Sequence, residues 1–407
     1  MDLHEQAFLS AALGVGDERL EQRLLVGFHL IRDCCRMADD PAWMPRVSVA
    51  KKMMDQAIID GVFVPGDLEL VAIARLLDAL ESRSSSRALL YSAIVAYGVA
   101  LFREVSFDAA STAFEISDGL WTPACSATDR LEATFYRGLV LIRGGQIRGA
   151  SEQVPLQLAL QARAALNHEF VALAGVMRQN RVMLTGNLQA TIVEGEKRLK
   201  RLQSRPSSRA EGMLLNTLAA AYGRAGNFDQ ALRHASRMLH PRYHFTVRLA
   251  ALNLSGVTLI LLGELDAAEA AFELLLLAPT AQFRRSGWLG LMDLHARRAE
   301  RHAFERAYEH MLNQPLTPDA KIHFWHLSGR GWATFGDVAR ARLAYDEAYA
   351  LARAYGFGYE IFETEDHIAT LPDPDQLVRT VDIAPEVAAH ITALRDDHAG
   401  EIAACMA

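Results

Sequence analysis

The feature that most restricts how this chain can fold is a glycine-centred pattern that returns along it at nearly constant spacing. Its clearest copy runs from Leu215 to Pro241, where Tyr222 stands four residues before Gly226, Phe228 two after it and Ala231 five after it. Apolar residues at helical spacing on both sides of the glycine predict a helix, a tight turn and a second helix. The pattern returns at Gly263, with Gly256 seven before, Leu265 two after, Ala268 five after, Phe272 nine after and Pro279 sixteen after. It returns again at Gly336, with Gly329, Trp332, Val338, Ala341, Tyr345 and Ala348 at matching or neighbouring offsets.

Gly263 and Gly336 are 73 residues apart, about twice the 37 that separate Gly226 from Gly263, so a hidden copy is expected near residue 299. Trp288, Leu291, His295, Phe304, Tyr308 and Pro315 fall at the required offsets from Ala299, which stands in the place of the turn glycine. Upstream, Gly186 and Gly145 continue the series at spacings of 40 and 41, with Gly138 and Ala150 in frame around Gly145. Gly98, Val105, Phe107, Ala110 and Phe114 fill the same frame earlier still. Seven consecutive hairpins are therefore expected over residues 89–356. Small residues let paired helices approach, aromatics fill the space between hairpins, and glycine permits the turn.

Residues 1–88 are expected to be helical as well, as diverged hairpins or an N-terminal cap. Leu20–Met37, Val47–Ile59 and Asp67–Ser82 show helical spacing, separated by breakers at Asp40-Pro41, Pro45 and Pro65-Gly66. Residues 357–407 are expected to form C-terminal capping helices, with a break at Leu371-Pro-Asp-Pro-Asp375 and a short polar helix opening at Pro385.

Composition narrows the function. A formal charge of -7, from 42 Lys+Arg against 49 Asp+Glu, argues against a general nucleic-acid binder, which needs a basic surface. Cys34, Cys35, Cys125 and Cys405 have no metal spacing, and an adjacent pair makes a strained disulfide, which suits a reducing cytoplasm. Met1–Gly16 lacks the basic start and apolar core of a signal peptide, and the most apolar run, Leu249–Leu262, is short for a bilayer. A cytoplasmic protein without a membrane partner is expected. His323 and His326 lie three apart on one helix with Asp293 on the neighbouring hairpin, a weak metal-ligand pattern. Nucleophile-elbow, P-loop and dinucleotide fingerprints are missing, and Gly144-Gly145 falls in a hairpin turn. Arg284-Arg285, Arg297-Arg298 and Lys197–Arg201 are the strongest basic clusters and read as solvated helix surface.

Leu218, Tyr222, Gly226, Phe228, Ala231 and Pro241 together resemble the tetratricopeptide repeat (TPR) family, and the resemblance extends over roughly two-thirds of the chain. Spacings of 36 to 41 exceed the family's period of about 34 and are similar to the longer-helix repeats of bacterial signalling and regulatory members. The resemblance implies an all-α fold, a right-handed α-solenoid of TPR-like helical hairpins that binds a protein or peptide and needs no catalysis or cofactor. It also implies that the first helix of each hairpin lines a concave groove. In that frame Arg143, Asn180, Asn216, Arg224, Asn253, Asp293, Arg297, His326 and Arg330 fall on or beside the groove, with Arg103, Phe135, Tyr136, Met177, Met183 and His323.

Asn216 and Asn253 share one offset in consecutive hairpins, and Asn180 lies about a turn away on the preceding one. A carboxamide donates and accepts at once, so such a row can grip an extended peptide backbone. Arg143, Arg224, Arg297 and Arg330 can then read acidic side chains or a terminal carboxylate. Peptide-sensing regulators of this family often carry an N-terminal helix-turn-helix, and residues 1–88 lack its tight glycine turn, so action through a partner is expected. The chaperone-clamp subtype needs lysines where this chain has Met213, Ala220 and Ala250. The alternative to groove binding is an assembly subunit, a homo-oligomer built through its ends or convex face.

Overall fold

The computed structural model describes residues 18–40, 47–63, 68–82, 86–147, 149–204, 206–314 and 316–370. The expected breakers at Pro41, Pro45 and Pro65-Gly66, and everything expected beyond residue 370, lie outside them. Among the described residues all regular structure is α-helical. The chain divides into two compact units, Met1–Val140 and Leu141–Ala404.

The first unit holds α1 (Glu18–Asp39), α2 (Val47–Ile59), α3 (Leu68–Glu81), α4 (Arg87–Arg103), α5 (Phe107–Leu120) and most of α6 (Ala127–Arg143). The unit boundary falls within α6 rather than near residue 88, because α1 packs on α3, α4 and α5 and α3 packs on α4. The N-terminal helices and the first predicted hairpin thus share one core. At its centre the Arg23 guanidinium donates to Glu69 at 2.8 Å, and the buried Tyr97 hydroxyl donates to the same carboxylate at 3.2 Å. Gly27 accommodates that tyrosine: a Cβ there would lie 1.8 Å from its oxygen.

The second unit continues as helix pairs: α7 (Ala150–Ala164) after α6, then α8 (His168–Leu184) with α9 (Leu188–Leu202), and α10 (Ser208–Arg224) with α11 (Phe228–Met238). There follow α12 (Phe245–Leu262) with α13 (Leu265–Leu276), α14 (Ala281–Arg297) with α15 (Arg301–Leu312), and α16 (Pro318–Thr334) with α17 (Val338–Tyr355). A single helix, α18 (Gly358–Thr370), comes last.

One turn design joins most pairs. After α10, Gly226 adopts φ +76°, its N–H donates to Gly223 O, and Asn227 N–H reaches back to Tyr222 O at 2.9 Å. Asn227 then caps α11, its side chain accepting from Gln230 N. The six-to-one bond recurs as Glu264 N–H to Leu259 O, Glu300 N–H to His295 O and Asp337 N–H to Trp332 O. Ala299 holds the left-handed position at φ +56°, and Val105 does so at φ +69° between α4 and α5. The frame inferred from spacing thus corresponds to a conformation that two hairpins adopt without glycine.

Where a glycine stands seven residues before the turn, as at Gly98, Gly256 and Gly329, it has a different task. It clears space for the aromatic nine residues after the turn: an added Cβ would lie 2.8 Å from Phe114 at Gly98, 2.7 Å from Phe272 at Gly256, and 2.7 Å from Tyr345 at Gly329. Phe272 also presses on the next pair, where a Cβ at Gly290 would meet it at 2.2 Å. Phe114, Phe272 and Tyr345 are almost fully buried, so these notches set how closely the helices pack.

By length and composition α12 is able to cross a membrane, since the helix starts at Phe245, four residues before the apolar run that the sequence marks out. Leu249, Leu252, Leu259, Ile260 and Leu262 are buried in the core of the second unit, which accounts for its apolar character without a bilayer.

Candidate functional site

In the second unit the first helices of successive pairs stack directly: α8 packs on α10, α10 on α12, α12 on α14 and α14 on α16. Among the described residues, successive second helices pack on one another more weakly. Polar residues of α8, α10, α12, α14 and α16 therefore come together along one layer, and eight of the nine candidate residues lie on these helices.

Asn180 on α8, Asn216 on α10 and Asn253 on α12 are each half-buried. Among the described residues none of the three carboxamides has a hydrogen-bond partner. Arg143, at the end of α6, is half-buried and lies 4.0 Å from Asp319 at the start of α16.

Further along the layer the charges are matched. Asp293 on α14 is buried and receives Arg330 Nη2 from α16 at 2.6 Å and Arg297 Nε from its own helix at 3.3 Å. Burial pushes the Asp293 carboxyl up, but Arg330 and then Arg297 outweigh it and hold the group below its usual range. His323 is exposed, whereas His326, three residues on, is buried. The two imidazoles therefore do not converge with Asp293 on one ion. Among the described residues no group of three His, Cys, Asp or Glu has the arrangement of a metal site.

His326 instead meets α18. The Thr364 hydroxyl donates to Glu360 O at 2.7 Å, so the 3.2 Å contact between His326 Nδ1 and Thr364 Oγ1 has the imidazole N–H donating. The ring of His326 stands edge-on to His367 with centroids 4.7 Å apart, and Glu363 lies 3.9 Å from its Nε2. Burial, followed by His367, Arg330 and His323, holds His326 far below its ordinary range, with Asp293 opposing, so it is neutral at pH 7.

Arg224 meets the same helix from α10, 136 positions away in sequence from its partner: Nη2 donates to Glu360 Oε1 at 2.5 Å, and the guanidinium covers the Tyr359 ring at 4.7 Å. Burial opposes the Arg224 charge, and Glu360, Tyr359 and Glu363 more than offset it. At the same end of α18 the backbone touches the turn after α8, where a Cβ on Gly358 would stand 2.5 Å from Thr185 O. Residues 358–370, expected as part of the C-terminal capping helices, pack on α17 and also reach α10, α16 and the turn after α8.

Tyr359, Glu360, Glu363, Thr364 and His367 are thus the site residues that the repeat frame did not indicate. The one local signal is the pair Gly356 and Gly358, which marks a short link after α17. Comparison of the sequence with protein-family models and with curated proteins returns no match.

Proposed function

We propose that this chain is a non-enzymatic binding protein, a right-handed α-solenoid of TPR-like hairpins whose concave groove holds a protein or peptide partner. The observation that carries the reading is the row of Asn180, Asn216 and Asn253: three half-buried carboxamides on successive first helices, with no hydrogen-bond partner among the described residues. Their side-chain polar atoms are open to solvent and free to bond, and an extended peptide backbone supplies both the donors and the acceptors that carboxamides take. Arg143, the half-buried Arg224 and Arg297, and the buried Asp293, His326 and Arg330 add charge selection beside the row. The recurrent turn and the glycine notch support the TPR-like reading, because both repeat in the frame of that family's consensus. Free thiols at Cys34 and Cys125, among the described residues, fit a cytoplasmic adaptor or regulator.

The test is affinity capture with identification of bound proteins by mass spectrometry, comparing the wild-type chain with an Asn216→Ala/Asn253→Ala variant. Loss of a partner from the variant supports groove recognition, and retention of every partner refutes it. A second reading, self-assembly, is favoured by Leu156 and Leu160, exposed one turn apart on α7. Light scattering decides that point, since a monomer well above cellular concentration removes it.

A further inference from the structure

The most deeply buried face of helix α18 is polar, while Ile361 and Ile368 pack half-buried at the edges of the apolar clusters. Its buried residues are Glu360, Thr364 and His367, at 5%, 0% and 5% exposure, while its largest aliphatic or phenyl side chain, Phe362, is 70% exposed. The buried stripe has the i, i+4, i+7 spacing of one helix face, and every member of it is polar. A helix that serves only to close a core buries its apolar face most deeply, whereas this one lays its polar face onto Arg224 and His326.

The match is incomplete. Arg224 Nη1, Arg330 Nε and Glu360 Oε2 are buried without a hydrogen-bond partner. An ion pair that leaves buried donors and an acceptor unsatisfied holds its helix less tightly than a fully matched one, and a better-matched partner can replace it. The link to α17 is short and permissive: Gly356 adopts φ +76°, Phe357 is anchored in the core with Ile147, Ile322 and Ala352, and Gly358 follows. The two glycines flank that anchor, and Gly356 already holds a backbone conformation closed to most residues.

On the footing of the groove reading above, we propose that α18 is a displaceable internal ligand of the binding face. The partner it yields to carries, next to the extended stretch that the asparagine row holds, a helical turn of the same chemistry, presenting an acidic side chain beside an aromatic ring to Arg224 and a hydroxyl one turn later to His326. The free chain then holds its own face shut, and a partner gains access by supplying a better-matched acidic turn.

The probe is a fluorescein-labelled peptide of residues 357–370, added to the full chain and followed by anisotropy. Because an attached helix competes at an effective concentration in the millimolar range, wild type binds the peptide weakly. A Glu360→Gln/Thr364→Val chain, whose own helix is loosened, binds it at least about tenfold more tightly. Adding Arg224→Gln abolishes that binding. Hydrogen exchange of the wild-type chain provides a readout independent of the variant's folding: α18 amides exchange roughly a hundredfold faster than those of α16. Equal peptide binding by the two chains, or α18 amides as protected as those of α16, overturns the proposal. Failure of the underlying groove reading shows separately, as partner capture indifferent to Asn216→Ala/Asn253→Ala.

Discussion

Replacing Gly256 by alanine tests whether the glycine–aromatic notch holds the hairpins together. The new Cβ would stand 2.7 Å from Cε1 and Cζ of Phe272, where ordinary contact begins near 3.4 Å. The ring has nowhere to retreat, because it is fully buried and its Cε1 already lies where a Cβ on Gly290 would come within 2.2 Å. Overpacking of this kind costs roughly 1–3 kcal/mol. Alanine in place of glycine within a helix returns about 1 kcal/mol, leaving a net loss of about 1 kcal/mol. Gly223→Ala is the control: its Cβ would meet only the Cβ of Ala231, at 3.8 Å, so the helix gain of about 1 kcal/mol stands alone. The two variants should differ by about 2 kcal/mol in urea denaturation followed by circular dichroism, with opposite signs relative to wild type. A Gly256→Ala chain at least as stable as wild type would refute the notch argument.

Ala299→Gly removes a left-handed strain of about 1–2 kcal/mol against a smaller loss of unfolded-state restriction, so it should raise stability by several tenths of a kcal/mol. The denaturation midpoint reads this, and a decrease counts against the strain. Asp293→Asn leaves the Arg297 and Arg330 guanidinia without their shared anion and should cost about 3–5 kcal/mol, whereas a loss under about 1 kcal/mol would mean that solvent screens the cluster. His326 supplies a pH dependence. Its pKa is depressed in the folded chain, so the unfolded or undocked state binds the extra proton as pH falls below about 6.5. The stability it contributes is therefore complete above that value and declines below it, by at most about 1.4 kcal/mol per pH unit. Arg330 and His323 on its own helix, Asp293 on α14, Tyr345 on α17, and Glu363 and His367 on α18 set its field. His326→Gln should flatten the difference in denaturation midpoint between pH 5.5 and 7.5 that wild type displays.

Local chemistry was legible in the sequence, and long-range docking was not. The turn at Ala299 could be placed from spacing alone, because the frame is fixed by residues within one hairpin, here Trp288 and His295 before the turn and Phe304 and Tyr308 after it. The asparagine row followed from the same register. The pairing of Arg224 with Glu360 spans 136 residues, and it depends on where the stack brings α10 relative to the end of α17. Nothing within either segment encodes that distance. Glu360, Thr364 and His367 also form a polar stripe that reads as solvated surface, since pattern rules assume that the buried face is the apolar one. His323, His326 and Asp293 suggested a metal because one-letter spacing omits Arg330, one turn beyond His326, which takes the carboxylate instead.

The central claim is that the first-helix layer of the second unit is the binding face. Hydrogen exchange of the chain with and without its captured partner tests it most directly. The account predicts that the partner slows exchange along α8, α10 and α12, around Asn180, Asn216 and Asn253, and speeds it in α18 as that helix is displaced. Protection confined to α9, α11 and α13 or to the chain ends, with α18 unchanged, would contradict it.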